Sequence, residues 1–417
     1  MTLVNDDLIL GLDIGTTKVC AVVGERNEEG RLNLLGIGSA PTQAGMRKGV
    51  VINIESTMQS VQQAIDKAEM MSGREVSEVY TGIAGAHIEG INSRGVVPVT
   101  GRGREIDQQD VDRVIDAAKA IVIPMDREVL HVLPREFIVD DQGGVRDPLD
   151  MIGIRLEAEV HIVTCSVTSA QNLLKCINRA GYRVQDIVLE SLAASGVVLS
   201  PDEKELGVLL IDLGGGTTDV LVFLDGAPYH TGVVPLGGEQ VTSDLSIMLK
   251  TPREAAERLK KESGCCFSSM VDSLEEVIIP GVGSWPSASI PRQKICGIIQ
   301  PRMEEIFGLV REQLSRKDYL KHLTGGIVIT GGGSLLPGAQ ELAMNIFNLP
   351  ARIGLPIVEG APNEEFLSPQ AATAVGLAAY GLAEKEEYNR GRGMRGKEGS
   401  AGRSKGGGFF KWIKEFF

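Results

Sequence analysis

Two short segments of this chain carry the residue types that bind phosphate and a divalent cation, and they are built alike. Leu12-Asp13-Ile14-Gly15-Thr16-Thr17-Lys18-Val19 and Ile211-Asp212-Leu213-Gly214-Gly215-Gly216-Thr217-Thr218-Asp219-Val220 each set an aspartate at the end of an apolar run, then follow it with glycine and threonine. Glycines let backbone N–H groups approach phosphate oxygens, and threonine hydroxyls with the ammonium of Lys18 add donors. An aspartate at a strand end suits Mg2+, which gives up its waters reluctantly and takes few carboxylates. One Gly-Thr hairpin is structurally commonplace. Two in one chain point to a two-fold arrangement that clamps a nucleoside triphosphate. A third cluster, Gly331, Gly332 and Gly333 ahead of Pro337-Gly338, suits close backbone approach to a nucleoside, and equally suits a plain strand-to-helix turn. Leu236-Gly237-Gly238-Glu239 and the trio Glu257, Lys260, Lys261 complete the set.

The elements that must hold these residues follow from periodicity. Residues 8–23 read as strand, tight turn and strand, with a third strand at 32–37 and another at 76–84. Residues 54–71 have helical spacing, with Gly73 as a stop. The texture then changes: strands at 96–99, 128–139 and 155–164 and a helix at 107–122 make a small α+β insertion. Helices at 169–180 and 190–199 flank a strand at 184–189, and 206–223 repeats the opening pattern. A second insertion holds a charged helix at 252–262 and a strand at 277–279; a helix at 297–314, a strand at 327–330 and a helix at 337–347 follow. The predicted fold is α/β, with two duplicated halves around a cleft. The first half takes 1–84 and 164–204, the second 205–240 and 300–384, with insertions at 85–163 and 241–299. Residues 385–408 read as a Gly/Arg/Lys/Ser-rich linker, and 409–417 as an amphipathic helix.

Composition bounds the rest. A 417-residue chain with 43% hydrophobic content fits a globular protein of two or more domains. A formal charge of −13 argues against a general nucleic-acid binder, which is usually basic. The opening residues lack a basic n-region, and no apolar run approaches the roughly 18–20 residues that span a bilayer, so a cytoplasmic chain is expected. The six cysteines show no metal-ligand spacing and read as reduced thiols; the vicinal Cys265-Cys266 leaves a redox pair as the other reading.

The last residues carry a concentrated apolar signal. Phe409, Trp412, Ile413, Phe416 and Phe417 recur at the spacing of one helical face, Phe410 adds to them, and Lys411, Lys414 and Glu415 lie away from it. Such a helix lies in a membrane interface. The competing reading is a tail docked on its own domain. Arg390, Arg392, Arg395, Lys397, Arg403 and Lys405 add attraction to anionic lipid, or simply solvate a spacer. One such anchor is weak, and linking many copies makes it firm, which argues for self-assembly on the membrane.

The order of first phosphate loop, second phosphate loop and adenosine loop resembles the actin/Hsp70/sugar-kinase superfamily. That resemblance implies an actin-like, ribonuclease-H-like pair of domains binding ATP and Mg2+. Asp13 and Asp212 would serve the metal, Gly15 to Lys18 and Gly214 to Thr217 the phosphates, and Glu239, Lys260 and Gly332 the nucleoside. Glu190, in Leu189-Glu190-Ser191-Leu192-Ala193-Ala194, falls where the superfamily keeps the residue that orients the attacking water; it is equally a solvated acid at a helix start.

Within the superfamily, the position of the insertion discriminates. Too few residues lie between 37 and 54 for a subdomain, so the extra module follows the strand at 76–84 instead. That displacement resembles the bacterial cell-division family FtsA, as do Gly82-Ile83-Ala84-Gly85-Ala86-His87-Ile88, His131-Val132-Leu133-Pro134-Arg135-Glu136-Phe137 and Asp147-Pro148-Leu149-Asp150-Met151. The resemblance implies an ATP-binding peripheral protein on the inner face of the cytoplasmic membrane at the division site. It would polymerise head-to-tail, hold the C-terminal peptide of FtsZ through the second insertion, and meet downstream division proteins through the first. Arg292, Lys294 and Arg302 are candidate contacts for the acidic peptide, or merely solvated cations. The rivals are an ATP-hydrolysing enzyme of the same superfamily and an actin-like adaptor of pilus assembly.

Overall fold

The computed structural model describes residues 8–395, apart from 101, 273 and 282–285, and leaves out the side chains of 102 and 387–395. The first half opens with β1 (Leu8–Ile14), β2 (Lys18–Arg26) and β3 (Leu32–Pro41), then a minor ribbon of β4 (Met46–Arg47) and β5 (Val50–Val51). Helix α1 (Ile54–Ser72) starts where Asn53 accepts a hydrogen bond from Ser56 N–H at 3.1 Å, and stops at Gly73, whose φ is 66°. Its buried stripe of Thr57, Ser60, Val61, Ala64, Ile65 and Ala68 keeps helical period and faces the sheet. Strand β6 (Glu78–Ile83) follows and leads into the insertion.

The insertion contains β7 (Glu89–Pro98), α2 (Gln108–Lys119), β8 (Arg127–Val139), β9 (Gln142–Val145) and β10 (Arg155–Ser166). Its sheet runs β7-β10-β8-β9, and α2 closes a core of its own around Val111, Val114, Phe137, Leu156 and Val160. Strand β7 begins at Glu89, well before the expected 96, because it pairs with β10 along its whole length. The first half resumes with α3 (Val167–Arg179), β11 (Arg183–Leu189), α4 (Glu190–Val198) and α5 (Pro201–Leu206).

The second half repeats the plan with β12 (Val208–Leu213), β13 (Thr218–Leu224) and β14 (Ala227–Val234). Helices α6 (Gly238–Leu249) and α7 (Arg253–Ser263), the ribbon β15 (Glu276–Ile279) with β16 (Ala288–Pro291), and α8 (Arg292–Ser315) come next. The chain then forms β17 (Ile327–Thr330), α9 (Ala339–Phe347), β18 (Ala351–Ile353) and α10 (Ala372–Arg395). One sheet is ordered β11-β6-β1-β2-β3 and the other β18-β17-β12-β13-β14. In each the first two strands are antiparallel and the later ones parallel to the first, so the duplication extends to pairing sense. The central strands are buried along most of their length because helices cover both faces.

Other elements also differ from the sequence reading. Helix α8 starts at Arg292 rather than 297, since Ile295 and Cys296 already belong to its buried face. Helix α6 was not expected; it opens on glycines, and its buried Val241, Leu245 and Leu249 form a narrow stripe. Helix α10 runs to Arg395, well into the stretch read as linker from 385. Lys385 Nζ donates to Leu8 O at 2.7 Å and Arg26 pairs with Glu386 at 3.0 Å, which ties the start of that stretch to the first sheet. The expected amphipathic helix at 409–417 lies outside the described residues.

Candidate nucleotide cleft

Each duplicated hairpin is closed by the same bond: Gly15 N–H donates to Lys18 O at 3.0 Å, and Gly214 N–H donates to Thr217 O at 3.0 Å. The hairpins face each other across a cleft of about 810 Å3. Their approach is close enough to require glycine: a Cβ on Gly216 would lie 2.5 Å from Thr16 Oγ1, and one on Gly215 would lie 2.5 Å from Thr17 Cγ2. Backbone amides of both turns therefore share one space, as a polyphosphate requires. Lys18 reaches across to Gln370, donating to its carbonyl at 3.0 Å.

Four acids besides Glu257 line the same space. Asp212 and Asp219 are buried, and Asp13 and Glu190 are half-buried. Burial raises the Asp13 carboxyl to about 7, with Lys18 opposing and Asp212 reinforcing the shift. Burial raises Asp212 to about 6 against a hydrogen bond from Thr373 Oγ1 at 3.3 Å. Asp219 rises to about 7 by burial and by the charge of Asp212. Glu190 is driven well above the usual carboxylate range, by burial first and then by Asp13, Asp219 and Asp212.

Asp219 Oδ2 accepts from Thr217 Oγ1 at 3.0 Å, whereas Oδ1 is buried without a hydrogen-bond partner. Mutually repelling oxygens with an orphan among them fit a hard divalent cation. Among the described residues no three ligating side chains converge tightly enough to hold a metal alone. Mg2+ suits that geometry, since it keeps waters and takes phosphate oxygens as ligands. Asp13, Asp212 and Asp219 would hold it through that shell, and it would neutralise charge developing on the phosphates.

The nucleoside end is assembled by α6, α7 and the loop after β17. Lys260 Nζ donates to Gly238 O at 3.0 Å and Thr242 Oγ1 at 2.9 Å, and pairs with Glu257 at 2.7 Å. Glu257 also pairs with Lys261 at 3.2 Å. Burial lowers the Lys260 ammonium and Glu257 opposes the shift. Gly331, Gly332 and Gly333 lie opposite this group, with Met303, Leu336 and Pro337 as apolar wall.

The structure thus brings Asp13, Gly15, Thr16, Thr17, Lys18, Glu190, Asp212, Gly214, Gly215, Thr217, Gly238, Glu257, Lys260, Lys261 and the three later glycines to one cleft. Gly216 and Glu239 do not line it. Gly216 packs on Thr16, and the Glu239 side chain pairs with Arg253 at 3.1 Å while its N–H donates to Gly215 O at 2.8 Å. Of the candidate peptide contacts on α8, Arg302 is bidentate to Asp244 at 2.6 and 3.1 Å. Arg292 binds Glu275 and Ser263 O, both at 2.8 Å, and Lys294 is exposed. Sequence reasoning missed Asp219, Gln370 and Thr373 as cleft residues. An acid at a position of β13 pointing inward was the available signal for Asp219; Gln370 and Thr373 left none.

Comparison with known proteins agrees with this geometry. The family described as "Cell division protein FtsA" matches residues 209–376, and "SHS2 domain inserted in FTSA" matches 85–164. Cell division protein FtsA of Borreliella burgdorferi is 46% identical over 385 residues, covering 92% of this chain and 93% of that protein. Among solved structures, the PilM-PilN type IV pilus biogenesis complex gives a TM-score of 0.65 at 17% identity, covering 90% of this chain and 98% of that one. MreB 5 of Spiroplasma citri bound to AMPPNP gives 0.55 at 16% identity, covering 93% and 99%. At such identities the structures show the fold, which is actin-like, with two sheet-based halves and one inserted domain. Near-half identity over nine-tenths of both sequences decides the rest: the chain belongs to the FtsA family of cell-division proteins.

Proposed function

We propose that the cleft binds ATP with Mg2+, and that the loaded chain assembles head-to-tail beneath the membrane and tethers FtsZ there. The observation that carries this reading is the contact between the two duplicated hairpins, with carboxylates beside them and Lys18 reaching over. Glu190 stands in the cleft wall, where a carboxylate orients a water toward the terminal phosphate; hydrolysis would be slow. No described helix is long and apolar enough to cross a membrane. Attachment is assigned to Phe409, Trp412, Ile413, Phe416 and Phe417, with Phe410 beside them, whose one-sided apolar spacing suits the interface and would gain from linked copies. The C-terminal peptide of FtsZ is assigned to the second insertion and α8. There Lys294 is the exposed cation, and Arg292 and Arg302 would have to exchange Glu275 and Asp244 for the peptide's carboxylates. The insertion at 85–163 is left for downstream division proteins.

Vesicle co-sedimentation of the full chain, and of a chain ending at Gly408, tests the reading. Binding to anionic vesicles that strengthens with MgATP and vanishes on truncation is the expected outcome. Equal sedimentation of both chains would remove the tether.

A further inference from the structure

Glu190 borders two spaces. One is the nucleotide cleft, and the other is a small chamber shared with Gly82, Ala84, His87, Ser169 and Leu173. The chamber measures about 10 Å3, near the room that one water molecule needs. Gly82 makes the seat: a Cβ there would lie 2.6 Å from Glu190 Cγ.

His87 forms part of the chamber wall. Its Nδ1 accepts a long hydrogen bond from Ser166 N–H at 3.5 Å, which leaves Nε2 as the protonated nitrogen. Nε2 is buried and has no hydrogen-bond partner among the described residues. A buried donor of this kind is costly unless something accepts from it. Glu190 lines both this chamber and the cleft, so one water between them can reach its carboxylate.

The loop carrying His87 is held firmly. Arg127 donates to His87 O at 2.8 Å, binds Thr164 Oγ1 at 2.8 and 3.0 Å, and pairs with Glu89 at 3.0 Å. The imidazole is therefore fixed relative to the chamber.

We propose that His87 is a positioning residue for ATP hydrolysis: its Nε2–H holds one water in the chamber, and that water donates to the Glu190 carboxylate and fixes its orientation toward the attacking water. The inference rests on the reading that MgATP is hydrolysed in this cleft. In that reaction the attacking oxygen bonds to the γ-phosphorus and the bridging P–O bond breaks with its electron pair on ADP. The proton of the attacking water leaves toward Glu190 or the released phosphate. His87 touches none of these atoms. It acts through the orientation of one carboxylate.

The test combines phosphate release and nucleotide affinity for the full chain, His87→Leu and His87→Gln. Leucine removes the donor; glutamine restores an N–H at similar reach. Leu should lower kcat about tenfold, the effect of one hydrogen bond, with MgATP affinity within twofold, and Gln should recover most of the rate. Wild-type turnover matched by His87→Leu, or equal losses in Leu and Gln, would overturn the inference and leave the hydrolysis reading standing. A wild-type chain that binds MgATP and releases no phosphate would overturn both. A crystal structure of the nucleotide-loaded wild type offers an independent check. It should show one water within hydrogen-bond reach of His87 Nε2 and a Glu190 oxygen, and its absence would overturn the inference whatever the variants do.

Discussion

The unpartnered oxygen of Asp219 is the residue on which the metal assignment leans most. It sits directly across the hairpin from Asp212, as Cys20 sits across from Asp13 in the other copy. The duplication is thus broken at the position where an extra carboxylate would help a cation. Asp219→Asn should weaken MgATP binding about 10- to 100-fold, the usual effect of losing a group that supports a metal. Binding measured in EDTA should barely change. Calorimetry in both buffers checks this, and an equal loss with and without Mg2+ would contradict it. Asp13 and Asp212 were legible because a lone acid at the end of an apolar run has no structural reason to be there. Gln370 and Thr373 were not legible, since only the return of α10 to the first sheet brings them to the cleft. Spacing alone does not say which way a helix turns its first acid, and here the Glu239 side chain pairs with Arg253. Arg302 looked free for a partner because Asp244, its mate, is distant in sequence.

Helices and strands that bury an entire face were readable, and those defined by neighbours were not. Helix α1 and strand β17 carry their own punctuation, and β17 spans the expected residues. Helix α6 is set by a foreign partner: its first amides, Gly238 and Glu239, donate to Gly214 O at 2.9 Å and Gly215 O at 2.8 Å. The β7–β10–β14 junction, where the insertion meets the second half, also eluded the sequence. There His161 Nδ1 lies 2.6 Å from Asn92 Oδ1 and Nε2 lies 3.0 Å from Thr231 Oγ1, while Arg135 stacks at 3.2 Å over Tyr229.

Burial drives the His161 imidazole down to about 3, helped by His230, Arg135 and Lys317, and burial also lowers His131 to about 3 and His230 to about 4. The unfolded chain takes up these protons near pH 6.5, before the folded chain does. Their stabilisation is complete above that pH and drains away as pH falls toward 3–4. The raised cleft carboxyls act in the opposite sense over pH 7 to 5, since the folded chain takes up their protons first, so the histidine share is read as a difference between wild type and variant in thermal unfolding over that range. His161→Gln, which keeps polar partners without the titration, should remove about one proton's share of the slope, about 1.4 kcal/mol per pH unit. An unchanged slope in the variant would contradict the assignment.

At the scale of the whole molecule the two halves meet where a nucleotide would bridge them. Thr16 packs on Gly216, and Thr373 donates to Asp212 from α10, which packs into the core of the first sheet although the sequence reading placed 300–384 in the second half. The insertion adds a second bridge through His161 and Thr231. The two-fold plan was foreseen from the repeated hairpins, because each copy is contiguous in sequence; the cross-cleft contacts were not, because they exist only once both copies have folded.

The central claim is that a single MgATP is gripped by both hairpins together. Hydrogen exchange of the full chain with and without saturating MgATP, alongside the binding stoichiometry, tests it most directly. One MgATP per chain, with slowed exchange in both the Asp13–Lys18 and Asp212–Asp219 segments, is the predicted result. Protection confined to one hairpin, or no change in either at saturation, would contradict it.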